Sequence, residues 1–375
     1  MLDKYGVDTV TACIEEMYDY GERITRMAID EISDGSWTAE DCFDNNGIDL
    51  DKPVKTQVTV TVKGGDITID FTGSAPEQEG PINGLLVGTI ASARIAVKAL
   101  TSPFLPANEG CFRPVKVIAQ EKTIYNSSPT APSFLWTWPL HHSLELINKA
   151  LHKVMPKRIP ACSGADVNLQ GFTGIHPRTG EYWQSIMPVV IGQGGDFFSD
   201  GENYLFHHGG GSCKSTPIEI LETLCPVIVD KNEFVMDSGG AGEQRGGVGS
   251  RIQYHLVEAS ARFFSMVEKA KTPRWAINGG KEGITNQLFI RSKEKGEYEL
   301  LKTSGLELTA DDTVIVTAGG GSGYGNPMER DPEKVLMDVI DGYVSVEHAK
   351  SNYGVVINPN NFEIDIEATK NLRVV

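Results

Sequence analysis

The sequence lacks the marks of membrane and secreted proteins. No apolar run approaches the ~20 residues that a transmembrane helix needs, and residues 1–6 do not show the basic-then-apolar pattern of a secretory signal. Basic residues are also scarce: Lys and Arg number 34 against 50 Asp and Glu, a net charge of −16. Nucleic acids and anionic membranes attract basic surfaces. We therefore expect a cytoplasmic protein whose partners are neither nucleic acids nor membranes.

The cysteines are too scattered for a zinc knuckle, and the aromatic residues are too few for a carbohydrate-binding domain. No two of the six cysteines stand in a Cys-x-x-Cys pair, which argues against a zinc knuckle. Their spread favours reduced thiols in a reducing compartment. Aromatic residues make up only 8% of the chain, which disfavours a free-standing carbohydrate-binding domain.

Three well-known catalytic and nucleotide-binding signatures are absent. The glycine-rich run 318–325 lacks the Gly-Lys-Ser/Thr ending of a P-loop. No Gly-x-Ser-x-Gly elbow marks a serine hydrolase, and no dinucleotide fingerprint follows a predicted strand. We predict that this chain alone binds no ATP. The run is either a phosphate cradle or a tight structural turn, and the turn is the favoured interpretation.

The hydrophobic periodicity predicts an α+β fold with a helix-containing N-terminal half. A length of 375 residues predicts two or more domains. A β-hairpin is predicted at 55–72, turning at Gly64-Gly65. The first helix carries an apolar stripe, which is more often core than a surface that docks another subunit. The predicted helices span 9–33, 89–101, 142–154, 217–224 and 332–341, with a further short helix from Ser345 to Tyr353.

The C-terminal half is predicted to be rich in strands and to end in short helices. Short strands divided by glycine turns indicate a sandwich or an open barrel. The domains are therefore predicted as 1–226, mixed α+β, and 227–375, β-rich with a glycine loop and short helices. Many of the 40 glycines follow residue 160, which predicts many tight loops there. The strands are predicted at 227–236, 250–257, 261–268, 286–291, 297–302 and 312–318.

Two glycine-rich segments carry the candidate catalytic residues. Adjacent His207 and His208 are either metal ligands or ordinary loop histidines. On an extended segment they are expected to point to opposite faces, which disfavours a shared ion. In the segment 237–249, Arg245 stands among small residues, where its guanidinium either binds a carboxylate or phosphate or clamps Asp237 within a turn.

Several segments, taken together, resemble the B-type chain of the ATP-dependent hydantoinase/oxoprolinase family, which includes the acetone and acetophenone carboxylases. The matching stretches occur in family order across nearly the whole chain. Residues 207–213 and the Gly-Tyr-Gly-Asn-Pro at 323–327 depart from the family pattern. The matching stretches are Asp70-Phe-Thr-Gly-Ser-Ala-Pro-Glu-Gln-Glu-Gly, Asn108-Glu-Gly-Cys-Phe-Arg-Pro, Thr216-Pro-Ile-Glu, Asp237 through Gly249, and the C-terminal run through Tyr353-Gly-Val-Val.

The resemblance implies one subunit of a heteromeric enzyme that acts on a phosphorylated carbonyl compound. It places ATP and Mg²⁺ on a partner A-type subunit and no cofactor in this chain. The B-type chains of the family usually begin with a further region that carries segments resembling metal-ligand positions, and this sequence resembles the part beyond it. The resemblance therefore assigns any divalent metal to that region or to a separate chain that supplies it.

Three functions follow as alternatives. The first is a hydrolase of a cyclic amide similar to hydantoin or oxoproline, with Arg245, Asp237, His207 and His208 as its candidate catalytic residues. The second is an ATP-dependent ketone carboxylase, which differs in its dependence on bicarbonate. The third is a non-catalytic scaffold subunit of either complex.

Overall fold

The chain divides into two compact units. A computed structural model describes residues 1–134, 138–166, 168–210 and 213–373. Unit 1 comprises 1–42 and 53–159, and unit 2 comprises 43–52 and 160–375. The division near 159 differs from the predicted boundary at 226, because strands from both sides of 226 pair in one sheet. Across the described ranges the structure has eight α-helices and thirteen strands, which confirms the α+β class.

Unit 1 combines a four-stranded sheet with helices. The sheet order is β1-β2-β3-β4, and the predicted hairpin is confirmed as the antiparallel pair β2–β3, joined at Gly64 and Gly65. No helix in the described part of the chain is long and apolar enough to span a membrane. The elements of unit 1 are α1 (Leu2–Tyr5), α2 (Val7–Asp30), β1 (Gly35–Phe43, whose last residue belongs to unit 2), β2 (Val54–Lys63), β3 (Asp66–Asp70), α3 (Leu86–Thr101), β4 (Val115–Ile118) and α4 (Trp138–Leu151).

Unit 2 contains two antiparallel sheets. Their strand orders are β11-β10-β13-β8-β7 and β12-β9-β5-β6. The strands predicted after residue 226 are confirmed, and β5, β6 and β12 were not predicted. The elements of unit 2 are β5 (Leu169–Ile175), β6 (Tyr182–Pro188), α5 (Ile218–Leu224), β7 (Val227–Phe234), β8 (Ser250–Leu256), β9 (Ser260–Met266), β10 (Gln287–Ser292), β11 (Gly296–Glu299), β12 (Lys302–Thr309), β13 (Asp312–Thr317), α6 (Pro332–Ile340), α7 (Val346–Tyr353) and α8 (Ile366–Arg373).

One hydrophobic core lies between the two sheets of unit 2. Phe172 of β5 and Phe263 of β9 have their ring centroids 5.2 Å apart, and Phe172 meets Tyr254 of β8 edge-on at 5.6 Å. Buried residues of β10 and β13 belong to the same cluster. Because both sheets bury their inner faces against this cluster, the arrangement is a sandwich rather than a barrel.

The C-terminal helices begin at the predicted caps. The Asp331 side chain accepts a hydrogen bond from the Glu333 amide, with Pro332 at the first helical position of α6. Ser345 likewise accepts from the His348 amide at the start of α7, and α7 ends at Gly354 in the left-handed conformation. The two helices share a small apolar core that includes Val335, Val339 and Tyr353.

A buried polar cluster anchors residues 43–52 within unit 2. The Asp44 carboxylate accepts hydrogen bonds from the amides of Ala270, Lys271 and Thr272, at 2.7 to 3.2 Å. The Asp44 amide donates to Glu268 at 2.8 Å, and Glu268 pairs with Lys302. Burial raises the pKa of Glu268 to about 7, although Lys302 opposes the shift and Asp44 adds to it.

This pKa predicts that stability depends on pH between about 5 and about 7. In that window the folded chain holds a proton on Glu268 that the unfolded chain has lost, so stability falls as pH rises. The contribution lost is on the order of 2 kcal/mol. Urea unfolding at several pH values should show this decline for the wild-type chain relative to Glu268→Gln, which cannot titrate. Parallel stability profiles for the two chains would contradict the prediction.

Candidate functional site

The glycine-rich segments of unit 2 pack against each other, backbone to backbone. The Gly247 amide donates to the Gln193 carbonyl at 2.8 Å, and the Gly321 amide donates to the Gly247 carbonyl at 2.9 Å. A Cβ atom on Gly321 would overlap the Gln193 carbonyl oxygen. We call this assembly the glycine core. Its segments are 161–164, 192–195, 239–249, 280–283 and 318–325.

The C-terminal glycine run is therefore not the tight turn that the sequence predicted. Residues 318–325 are all buried. The amides of Gly321, Ser322, Gly323 and Tyr324 each donate to a protein carbonyl, at 2.7 to 2.9 Å. These amides already have acceptors within the chain, so they do not form a phosphate cradle in this arrangement. The prediction of tight loops was wrong here because the glycine segments satisfy their hydrogen bonds against one another.

Two arginines and two aspartates form an ionic cluster beside the glycine core, buried except at Asp200, whose side chain is 30% exposed. We call it the arginine cluster: Arg245, Arg330, Asp200 and Asp338. Arg330 is 1% exposed and binds both Asp200 oxygens, at 2.6 and 2.8 Å. Its Nη2 also lies 2.7 Å from Asp338. Burial favours a raised pKa for Asp200, but hydrogen bonds and charge from Arg330 hold that pKa below its ordinary value.

Arg245 is part of this cluster and does not clamp Asp237. Its Nε donates to Asp338 at 3.1 Å, and one Nη donates to the Gly246 carbonyl at 2.7 Å. The guanidinium also lies 5.0 Å from the Tyr343 ring centre. The prediction that Arg245 clamps Asp237 named the wrong partner. The carboxylate that Arg245 contacts is Asp338 of α6, which lies 93 residues away along the chain, so no local pattern indicates it. These contacts hold α6 against the segment 237–249.

Asp237 is paired with the start of α7. Its Oδ1 accepts from the Ser345 amide at 2.7 Å and lies 3.3 Å from His348 Nδ1. Asp237 has a φ of 61°, an uncommon conformation for a residue other than glycine. The Asp237 and His348 side chains are about 30% exposed. A carboxylate that holds Nδ1 of an imidazole leaves Nε2 oriented for proton transfer.

His207 and His208 lie on one side of the chain, contrary to the sequence prediction. Their rings stack, with centroids 4.2 Å apart and 27° between the ring planes. The reason is a 3-10 turn at His208–Gly210, which replaces the expected extended segment. The Gly209 amide donates to His207 Nδ1 at 3.1 Å, so a neutral His207 carries its proton on Nε2. Gly211 and Ser212 of this stretch lie outside the described residues.

Four residues of these contacts were not predicted from the sequence: His348, Arg330, Asp338 and Asp200. The caps Asp331 and Ser345 predicted where α6 and α7 begin, but not which segments those helices contact. The position of Arg330, a charged residue next to the helix cap Asp331, could have marked it as a candidate. Its two carboxylate partners lie 8 and 130 residues away, so the sequence does not indicate them. The stacked histidines supply two imidazoles, and by themselves they do not complete the three protein ligands of a usual catalytic zinc site.

Arg245→Lys separates a structural role from a catalytic one. Lysine keeps the charge but cannot reach Asp338, Asn203 and the Gly246 carbonyl together. We expect a loss of about 2 kcal/mol in unfolding free energy, measured by urea denaturation. A large loss of complex activity at unchanged stability would instead support the predicted active-site role.

Comparisons with known proteins match most or all of the chain. A family model described as Hydantoinase B/oxoprolinase matches residues 1–327. A protein of Pseudomonas sp. (strain NS671), the putative B component of a D-/L-hydantoinase, is 33% identical, over 100% of this chain and 64% of its own length. The acetophenone carboxylase delta subunit of Aromatoleum aromaticum is 22% identical, over 100% of this chain and 60% of its own.

The fold also matches a solved structure. The crystal structure of ATP-dependent caprolactamase from Pseudomonas jessenii superposes with a TM-score of 0.88 at 28% identity, covering 100% of this chain and 66% of that one. The chain spans slightly less than two thirds of the length of the two curated relatives.

Proposed function

Because the chain belongs to the hydantoinase B/oxoprolinase family, we propose that it is one subunit of a heteromeric, ATP-dependent enzyme that hydrolyses a cyclic amide. The observation that carries this proposal is the similarity, along the full chain, to proteins named as a hydantoinase subunit and a caprolactamase. The substrate class is a small carbonyl compound similar to hydantoin or oxoproline. The acetophenone carboxylase relative supports the second candidate, a ketone carboxylase.

ATP has a clear chemical purpose in such a reaction. Amide resonance makes the carbonyl carbon a poor electrophile, and phosphorylation of the carbonyl oxygen would activate that carbon. Water would then add to it, the C–N bond would break with a proton going to the nitrogen, and a second water would release phosphate from the resulting acyl phosphate. We assign ATP, Mg²⁺ and this phosphorylation to a partner A-type subunit. This chain would contribute proton transfer and orientation to the activated compound. A divalent metal, if the reaction uses one, is assigned to the part of the relatives that this chain does not match, and no step here depends on it.

We propose distinct roles for the four predicted site residues. His208 is exposed and stacked on buried His207, a placement that suits proton transfer by the outer ring backed by the inner one. Asp237 orients His348 and would set the tautomer of that imidazole. Arg245 acts as a positioning residue, because its guanidinium is bound to protein groups. A cytoplasmic location fits the observation that none of the six cysteines, all within the described ranges, forms a disulfide.

The proposal predicts that ATP turnover needs the partner and the substrate together. Calorimetry should show no tight MgATP binding to this chain alone. With the A-type subunit present, and with the region of the relatives that this chain does not match supplied, a cyclic amide should stimulate ATP hydrolysis at least about tenfold. Turnover that needs bicarbonate and a ketone instead would favour the carboxylase. Tight MgATP binding to the isolated chain would contradict the proposal.

His208→Ala and His348→Ala separate catalysis from scaffolding. If the chain acts on the intermediate, at least one of these variants should lower the turnover of the assembled complex by about a hundredfold. Assembly should persist in both. Unchanged turnover in both variants would favour the scaffold role.

A further inference from the structure

The chain contains three Asn-Gly pairs, and the structure places them in different settings. An asparagine before glycine can lose its side-chain amide, because the glycine nitrogen attacks the asparagine Cγ and no side chain on the glycine hinders the approach. Asparagine is accordingly one of the thermolabile residues of proteins. Whether a given pair reacts depends on how firmly the fold holds its side chain and that nitrogen. The pairs are Asn46-Gly47, Asn83-Gly84 and Asn278-Gly279.

The pair Asn83-Gly84 is fixed within unit 1. The Asn83 side chain is fully buried, and its Nδ2 donates to three backbone carbonyls at 2.8 to 3.0 Å. Its Oδ1 accepts from the Gln78 amide at 2.7 Å. The nitrogen that would attack is also engaged, because the Gly84 amide donates to the Ile124 carbonyl at 2.8 Å. We therefore expect this pair to be protected.

The pair Asn46-Gly47 is half-buried, and both of its reacting groups are bound within unit 2. Asn46 Oδ1 accepts from the amides of Ile48 and Asp49, at 2.9 and 2.8 Å. The Gly47 amide donates to Asn45 Oδ1 at 2.9 Å. These bonds hold the turn in one conformation, so we expect slow reaction here.

The pair Asn278-Gly279 stands exposed at the tip of a tight turn in unit 2. The Gly280 amide donates to the Ile277 carbonyl at 3.0 Å, and φ is 52° at Asn278 and 93° at Gly279. Positive φ at both central residues is typical of a type I′ turn. Within the described ranges, the Gly279 amide donates to no acceptor. The attacking nitrogen of this pair is therefore not engaged by the fold.

The Asn278 side chain is restrained by the hydroxyl of Tyr324. Asn278 Nδ2 donates to that oxygen at 2.9 Å. The hydroxyl is itself well positioned, because Tyr324 is 4% exposed and exchanges backbone hydrogen bonds of 2.9 Å with Gln244. An exposed turn of this kind opens locally more often than buried backbone does. When it opens, the bond to Tyr324 is lost and the side chain can reach the Gly279 nitrogen.

We propose that Asn278 is a site of spontaneous modification, at which the side-chain amide becomes a carboxylate. The Gly279 nitrogen forms a bond to Asn278 Cγ, the Cγ–Nδ2 bond breaks, and the proton from the Gly279 amide leaves with Nδ2 as ammonia. Water then adds to either carbonyl of the cyclic imide and opens it, which gives aspartate or isoaspartate. Each event adds a negative charge, and isoaspartate also adds a carbon atom to the backbone.

The position of the turn gives this modification a structural consequence. The Ile277 carbonyl also accepts from the Gly325 amide at 3.0 Å, and the Lys281 amide donates to the Ala241 carbonyl at 2.7 Å. These bonds join both ends of the turn to the glycine core. The extra backbone atom of isoaspartate therefore falls inside a bonded stretch, and an aged preparation should contain an acidic fraction that is less stable than the fresh chain.

The test follows the three pairs by peptide mass spectrometry while the purified chain is incubated at mildly alkaline pH. Trypsin releases Asn278 in the peptide 275–281, because it cuts after Arg274 and Lys281. Conversion at Asn278 should be at least about tenfold faster than at Asn46 or Asn83. A parallel incubation in urea is the control, since the unfolded chain should convert all three pairs at similar rates.

Two variants test the assignment. Asn278→Ser should remove most of the acidic fraction. Tyr324→Phe lacks the hydroxyl that restrains the side chain, and it should raise the rate at Asn278 at least about threefold while the other two pairs keep their wild-type rates. Thermal melting confirms that each variant is folded.

Three results would overturn the inference. Similar rates at the three pairs in the folded chain would show that the fold selects no site. Faster conversion at Asn46 or Asn83 than at Asn278 would assign the modification elsewhere. An unchanged rate at Asn278 in Tyr324→Phe would contradict the restraint assigned to the hydroxyl. The measurement needs neither a partner subunit nor a substrate, so its outcome is independent of the proposed function.

Discussion

Gly321→Ala is expected to prevent unit 2 from folding or to cost about 3 kcal/mol or more in unfolding free energy. The added methyl group would overlap the Gln193 carbonyl oxygen. The backbone at Gly321 cannot shift easily to relieve the overlap, because the Gly321 amide donates to the Gly247 carbonyl and the Gly321 carbonyl accepts from the Gly240 amide. Soluble yield and the urea midpoint measure the effect.

Gly180→Ala is the matched control for this prediction. Gly180 has a φ of 72° and open space around its Cα, so alanine meets conformational strain but no clash. That strain costs about 1–2 kcal/mol. A loss for Gly321→Ala no larger than that for Gly180→Ala would show that the glycine core tolerates side chains, and would contradict close backbone packing as the reason for these glycines.

Arg330→Met is expected to destabilise unit 2 by about 3–5 kcal/mol. Methionine is apolar and lacks the guanidinium, so the change leaves Asp200 and Asp338 without the cation that both contact. Asp338 retains Arg245, at 3.1 Å. Asp200 retains the Arg245 amide, at 2.7 Å, but loses both of its contacts with Arg330. Urea denaturation near neutral pH, where the carboxylates are ionised, measures the loss.

Arg291→Met tests whether burial is the cause of the stability loss expected for Arg330→Met. Arg291 pairs with Glu297 at 2.9 Å, with side-chain exposures of 55% and 48%. An exposed pair of this kind contributes less than about 1 kcal/mol. Similar losses of unfolding free energy for Arg330→Met and Arg291→Met would contradict the stabilising role assigned to the arginine cluster. A difference of several kcal/mol would support it.

The sequence by itself determined those elements that depend only on interactions between neighbouring residues. Alternating valines and the Gly64-Gly65 turn predicted the β2–β3 hairpin, since two strands and a tight turn need only neighbouring residues. Asp331-Pro332 and Ser345 predicted the starts of α6 and α7, because a cap acts on amides within three residues. The hydrophobic periodicity likewise predicted the α+β class, and the recurring motifs predicted the family.

The tertiary structure alone decided which distant groups meet. No local pattern specifies that Arg245 pairs with Asp338, or that Asp237 pairs with His348, because each pair joins segments about a hundred residues apart. Periodicity placed an apolar stripe on α2, but only packing decides which half of it is buried. The glycine content predicted tight turns, whereas in the fold the absence of side chains lets distant backbone segments come into hydrogen-bonding contact.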